Sequence, residues 1–280
     1  MAASLRVGHY QCECAPGEYG KNVAKVLDGL EFAESERLDV MTFPESFLTG
    51  YFSTMEKFRR LSWAADGPEM RGFLEKARQF SAMFVVGFNE RRDGKIYNSA
   101  AVVERGEILG IYSKAFPCSE HETPGRSFPV FEKNGVKFGV VICADGGYIE
   151  PTRILALKGA RVVFAPHYNY IGADNLLGHF VRVRNDHAAR AVENGVWFMR
   201  CNNVCLGRGE GLDHNGVGYG DSYLMDPNGE IVARSQRHKE CFMAATVALD
   251  DARDPFRRTR ASALELLPHL QGALGMATKL

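Results

Sequence analysis

A chain of 280 residues with 34 basic and 34 acidic side chains has no net charge, and its pI is about 7.1. There is no basic surplus to hold nucleic acid and no apolar run long enough to cross a bilayer, so the expected partner is a small molecule. A hydrophobic content of 45% is enough for a substantial core and argues against disorder.

Taken in order, the periodicity predicts a strand over residues 5–11, a helix over 19–35 and a strand over 38–43. A helix over 69–80 precedes a strand over 83–89. Strands over 99–104 and 107–113 meet at the turn Arg105-Gly106, and a loop over 115–126 crosses to a second half. That half repeats the pattern: a strand over 135–142 ending at Cys143, a tight turn Ala144-Asp145-Gly146-Gly147, a helix from Glu150 with Pro151 near its start, and a strand over 161–166. A helix over 176–194, a strand over 197–202, a hairpin over 220–233 and a strand over 241–250 follow. Strands alternating with helices define an α/β chain. Residues 1–252 read as one domain and 253–280 as a partly helical tail.

Three side chains with reactive chemistry fall at predicted strand ends: Glu45 after the strand over 38–43, Lys114 after the strand over 107–113, and Cys143. In an open α/β sheet the carboxyl ends of strands share one crevice. A thiol at a strand-to-helix turn faces free backbone N–H groups and a helix dipole, which favour a thiolate and stabilise an oxyanion. Each residue has an ordinary reading as well. A free cysteine is more often core, and Glu45 or Lys114 alone reads equally as a surface charge. Their coincidence at strand ends favours a nucleophilic site.

The ordered motifs around these residues resemble those of the carbon–nitrogen hydrolase (nitrilase) superfamily. Gln11 and Asn22, the Asp39 to Glu45 segment with Phe43-Pro44-Glu45, Tyr97-Asn98-Ser99-Ala100, Lys114, Cys143-Ala144-Asp145 with Glu150, and Gly220-Asp221-Ser222 with Asp226-Pro227-Asn228-Gly229-Glu230 all fit. The resemblance implies a two-sheet α-β-β-α sandwich with an internal pseudo-two-fold and a Glu45-Lys114-Cys143 triad. It further implies hydrolysis of a non-peptide C–N bond, with no cofactor or metal. It also implies a second glutamate between the lysine and the cysteine that orients the substrate. Glu120 and Glu122 compete for that role, and the offset from Lys114 in the formamidase and aliphatic-amidase branch favours Glu122. Tyr51, the Ala144 backbone N–H, His167 and Asn169 are expected around the substrate, although His167 reads equally as a hydrogen-bonded structural histidine.

The expected reaction converts a small amide to a carboxylate and ammonia through a thioester, with an N-carbamoyl amine or amino acid as the other substrate class. Gly146-Gly147 departs from carbamoyl-amino-acid hydrolases, which carry arginines there. Arg182, Arg184 or Arg208 would have to substitute. Seven scattered cysteines, with no zinc-type spacing in Cys12-Glu13-Cys14 or Cys201 to Cys205, and an N-terminus without a signal peptide's apolar core suggest a reducing cytoplasm. Gly207-Arg208-Gly209-Glu210-Gly211 reads as a loop near the site. The resemblance implies a homodimer or higher homo-oligomer with helices packed face to face. The predicted helix over 176–194, with Phe180, Val183, Ala188, Ala191 and Val192 beside Arg182, Arg184 and Arg190, is the expected contact. The leucines of the tail (Leu264, Leu266, Leu267, Leu270, Leu274) cover either the partner or their own subunit.

Overall fold

The computed structural model describes residues 3–205 and 216–249, with residues 268, 269, 271 and 272 of the tail. The first half runs β1 (Ser4–Gln11), α1 (Tyr19–Ser35), β2 (Val40–Thr42), α2 (Met55–Leu61), α3 (Pro68–Ala77), β3 (Met83–Arg92), β4 (Lys95–Glu104) and β5 (Glu107–Ser113). The second runs β6 (Val130–Lys133), β7 (Val136–Val140), α4 (Ile149–Leu157), β8 (Val162–His167), β9 (Tyr170–Ile171), α5 (Leu176–Asn194), β10 (Trp197–Asn202), β11 (Val204–Cys205), β12 (Val217–Tyr219), β13 (Tyr223–Met225), β14 (Ile231–Arg234) and β15 (Cys241–Ala248).

Two six-stranded sheets form, ordered β15-β1-β2-β3-β4-β5 and β14-β13-β10-β8-β7-β6, with a small sheet β11-β12-β9 beside them. Each large sheet holds three neighbouring parallel strands, β1-β2-β3 and β10-β8-β7, flanked by antiparallel ones. This is the internal two-fold pattern expected from the alternating elements. Strand alternation decides what lies between the sheets. Leu5, Val7, Val40, Val85 and Val102 of the first sheet meet Phe138, Val140, Val162, Phe164 and Met199 of the second in one buried layer. The outer faces carry helices: α1 and α3 bury Val26, Leu30, Met70 and Phe73 on the first sheet. Leu155 of α4 and Ala191 of α5 pack against the second. The architecture is therefore α-β-β-α.

Helix α5 and strand β10 occupy the predicted ranges, while five short elements (α2, β6, β9, β11 and β12) have no predicted counterpart. Cys143–Gly147 forms a turn of 3-10 helix where a tight turn was expected, and α4 begins at Ile149, one residue before the predicted start. The thiol sits at the start of that short turn, ahead of the α-helix as expected. The loop over 207–211 and nearly all of the tail lie outside the described residues.

Candidate active site

Glu45, Lys114, Cys143 and Asn169 follow the carboxyl ends of β2, β5, β7 and β8. Within each sheet the two strands run in one direction, and the contact of Glu45 with Tyr168 joins the two sets of ends. Glu45 and Lys114 are buried, and Lys114 Nζ donates to Glu45 Oε1 at 2.7 Å. The same oxygen accepts from Asn98 Nδ2 at 2.8 Å, and Oε2 accepts the Tyr168 backbone N–H at 2.7 Å. Three donors fix this carboxylate, and one comes from the second half of the chain. Gly87 of β3 permits the approach: a Cβ there would meet Ser46 N at 2.4 Å. Burial pulls Lys114 toward neutrality, but Glu45, Cys143, Tyr51 and Cys118 together outweigh it and hold the ammonium's pKa well above the ordinary lysine value.

Cys143 has a φ of 47°, a left-handed conformation that costs a non-glycine residue energy and is concentrated at functional turns. Asp145 anchors this turn: its carboxylate accepts Tyr112 OH at 2.7 Å and the backbone N–H of Phe116 at 2.8 Å, so the elbow is tied to the segment after Lys114. Gly146 is required by close packing, since a Cβ there would lie 2.7 Å from His187 Nε2. The Ala144 N–H opens the 3-10 turn, where helical geometry leaves it without an intrahelical acceptor. The turn's local preference for a thiolate is opposed by this environment. Burial pushes the Cys143 thiol up, Glu45 adds to that, and Lys114 only partly opposes it, so the resting group is the thiol.

Asn169 Nδ2 donates to Cys143 Sγ at 3.4 Å. Its orientation follows from Arg200, which can only donate: Nη2 reaches Asn169 Oδ1 at 2.6 Å and leaves the amide nitrogen to face the sulfur. His167 satisfies both of its readings. It is buried, its Nδ1–H donates to the Ala165 carbonyl at 2.8 Å, and its ring still borders the cavity. Burial, with Arg200 and His187 nearby, holds it well below the usual histidine range, so it is neutral. Tyr51 stacks on Tyr168 with ring centroids 4.9 Å apart, and both rings line the cavity.

Of the competing glutamates, Glu120 is exposed and Glu122 buried. Glu122 Oε2 has no hydrogen-bond partner among the described residues. Burial raises the Glu122 carboxyl to about 7, with Lys114 opposing and Glu45 reinforcing the shift. Because the folded state holds this proton more tightly than an ordinary glutamic acid, ionisation of Glu122 costs stability as pH rises through about 7. If the carboxylate is the form that accepts a substrate N–H, kcat/KM rises with pH across about 7 in the wild type, and Glu122→Gln flattens that limb. Glu120→Ala leaves it in place. A pH–rate profile of the three proteins reads this directly.

A cavity of about 480 Å³ opens over Cys143 and Ala144. Its walls include Tyr51, Tyr148, Tyr168 and Tyr170, together with one face of α5. Arg200 and, apart from Arg182, that face of α5 have no site role in the sequence reading, and Asn98 enters it only as part of a motif. The signal for Arg200 is an arginine inside the apolar strand Trp197–Asn202; it is fully buried. Among the described residues, no three His, Cys, Asp or Glu side chains gather as metal ligands, and no helix is long and apolar enough to cross a membrane. Cys12, Cys14 and Cys201 are buried, with sulfurs directed at backbone carbonyls.

A buried carboxylate–ammonium pair beside an elbow thiol, between the two sheets of an α-β-β-α sandwich, is the arrangement of the nitrilase superfamily. The chain belongs to the carbon-nitrogen hydrolase family, whose family model matches residues 6–254. It is 27% identical over 262 residues to an N-carbamoylputrescine amidase of Arabidopsis thaliana, covering 87% of this chain and 86% of that one. It is 28% identical over 257 residues to a glutamine-dependent NAD(+) synthetase of Thermotoga maritima, matching 88% of this chain but spanning only 42% of that protein. In structure it is similar to an amidase from Nesterenkonia sp., with a TM-score of 0.76, 20% identity, and coverage of 95% of this chain and 96% of that one.

Proposed function

We propose that this protein hydrolyses a small amide to a carboxylate and ammonia through a thioester on Cys143. The observation that carries the reading is the buried Glu45–Lys114 pair beside a thiol that opens into a cavity. A thiol at rest needs a base at the moment of attack. Glu45 takes the Sγ proton as sulfur bonds to the amide carbon, and the oxyanion draws hydrogen bonds from Lys114 Nζ and the Ala144 N–H. Glu45 returns its proton to the departing nitrogen, which leaves as ammonia. It then takes a proton from water, whose oxygen attacks the thioester and expels the Cys143 sulfur, which recovers the proton. Asn169 and Glu122 orient the reacting amide. Ammonia release from small amides, with carbamoyl amines and nitriles as competitors, tests this reading; turnover of nitriles alone would overturn it.

A second reading has specific support from the N-carbamoylputrescine amidase relative. An N-carbamoyl amine undergoes the same attack, and its products include carbon dioxide as well as ammonia. Carbon dioxide analysis separates the two.

The protein is also proposed to be a homodimer. The expected contact face of α5 needs correction: Phe180 and Ala191 are buried in their own subunit and Val183 borders the cavity. The apolar side chains that α4, α5 and the residue before α4 leave exposed are instead Tyr148, Ile149, Leu157, Leu177 and Val181, with Leu177 75% exposed. Two neighbouring helices with such an outer face suit a symmetric contact. Light scattering is expected to give about twice the 31.1 kDa chain mass. A monomer at micromolar concentration would refute the dimer.

A further inference from the structure

Helix α5 sends five residues to the cavity: His179, Arg182, Val183, Asp186 and His187. Their spacing of three and four is one face of an α-helix, so the wall is a continuous stripe. His187 packs at the elbow, where its Nε2 lies 2.7 Å from the place a Cβ on Gly146 would take. Asp186 Oδ2 lies 3.4 Å from the corresponding point on Gly147. The space that larger side chains at Gly146-Gly147 would fill is therefore held by α5. Arg182 is one turn further from the elbow, about 6 Å from Asp186 at the spacing of i,i+4 neighbours.

Arg182 and Asp186 are the charged side chains among the cavity's described residues. The three histidines there add no charge near neutral pH: burial and nearby arginines lower His179 to about 4 and hold His167 and His187 well below the usual range. Asp186 faces Arg190 first and Arg182 second, and both oppose the upward push of burial on its carboxyl. An anion-binding fork and a cation-binding carboxylate thus stand side by side along one wall. The other lining residues are uncharged, and Tyr51, Tyr148, Tyr170, Ile171 and Val183 among them are aromatic or aliphatic. Arginine matches a carboxylate in two-point geometry, and a half-buried carboxylate prefers an ammonium to water.

We propose that Arg182 and Asp186 read the far end of the substrate, and that the substrate is a small amide carrying an α-amino-acid head group. Its ammonium faces Asp186 and its carboxylate faces Arg182. This inference rests on the amide-hydrolase reading above and names the acyl group that reading leaves open. With His187 packed at the elbow beside Gly146, the axial rise of about 7.5 Å from His187 to Arg182 sets the scale for a head group three or four carbons from the scissile carbonyl. A side-chain amide of an amino diacid has this shape. Hydrolysis then releases the amino diacid and ammonia with only water consumed.

Four amides of matched length test it: glutamine with both charges, 4-aminobutanamide with the ammonium alone, glutaramic acid with the carboxylate alone, and neutral pentanamide. Glutamine is expected to exceed pentanamide in kcat/KM by at least about 100-fold, a difference typical of two satisfied charged contacts. Asp186→Asn lowers the preference for the ammonium over the neutral amide, and Arg182→Gln lowers that for the carboxylate, each by about 10-fold or more. Pentanamide cleaved as well as glutamine, an ammonium-only amide preferred over glutamine, or variants that change all four amides equally would overturn the proposal. Titration of the same four compounds into Cys143→Ala measures binding without turnover. Failure of amide hydrolysis as such is therefore distinguishable from failure of head-group recognition, and equal affinity for all four overturns the latter.

Discussion

Cys143→Ala is expected to reduce ammonia release by at least about 1000-fold while leaving the circular dichroism spectrum and melting temperature near those of the wild type. The chemical loss follows because Asn169, Lys114 and Glu45 have nothing else at that position to activate. The structural tolerance follows from the site's shape. Cys143 is half-buried at a cavity and held at a φ of 47°. That left-handed strain is a property of the turn, and Asp145 maintains it through Tyr112 and Phe116. Alanine removes one sulfur that borders open space, so no closed cavity is left behind. Residual turnover within about tenfold of wild type would show that another group is the nucleophile.

Lys114→Ala is expected to fail in two ways, and Glu45→Gln in only one. Lysine removal takes away the ammonium that opposes the upward shift of the Cys143 thiol and steadies the oxyanion, so turnover falls by orders of magnitude. It also leaves the Glu45 carboxylate buried with Asn98 and the Tyr168 N–H but no countercharge. Breaking a buried pair in this way costs about 3–5 kcal/mol. The variant should therefore melt well below wild type. Glu45→Gln keeps an acceptor for Lys114, removes the proton shuttle, and should lose comparable activity with a smaller loss of stability. Thermal melts and single-turnover rates of the two variants separate the contributions. A Lys114→Ala protein with wild-type stability would mean that the pair is not the anchor of this edge.

The chain by itself determined the alternation of elements, and with it the α/β class. Long amphipathic segments such as α5 and apolar strands such as β10 carry enough periodicity to fix their own ends. Glu45, Lys114 and Cys143 were legible because strand-end chemistry is local: each follows a short apolar run, and parallel strands bring such ends to one edge. Glu122 over Glu120 was legible only through the family resemblance, and burial supplies a physical reason for the choice.

Tertiary structure alone decided the rest. Two-residue strands such as β9 and β11 have no period to read. The state of the Cys143 thiol depends on burial and on the Glu45 charge, which lies 98 positions away in the chain and outweighs the local turn. The orientation of Asn169 depends on Arg200, a buried arginine whose other partners, Tyr219 and Gly220, come from a separate segment of the chain. The amphipathic pattern of α5 marked one face as mixed. Only packing against the elbow at Gly146 and Gly147 turned one stripe inward, placing Arg182 and Val183, which the pattern had assigned to a second subunit, in the cavity wall.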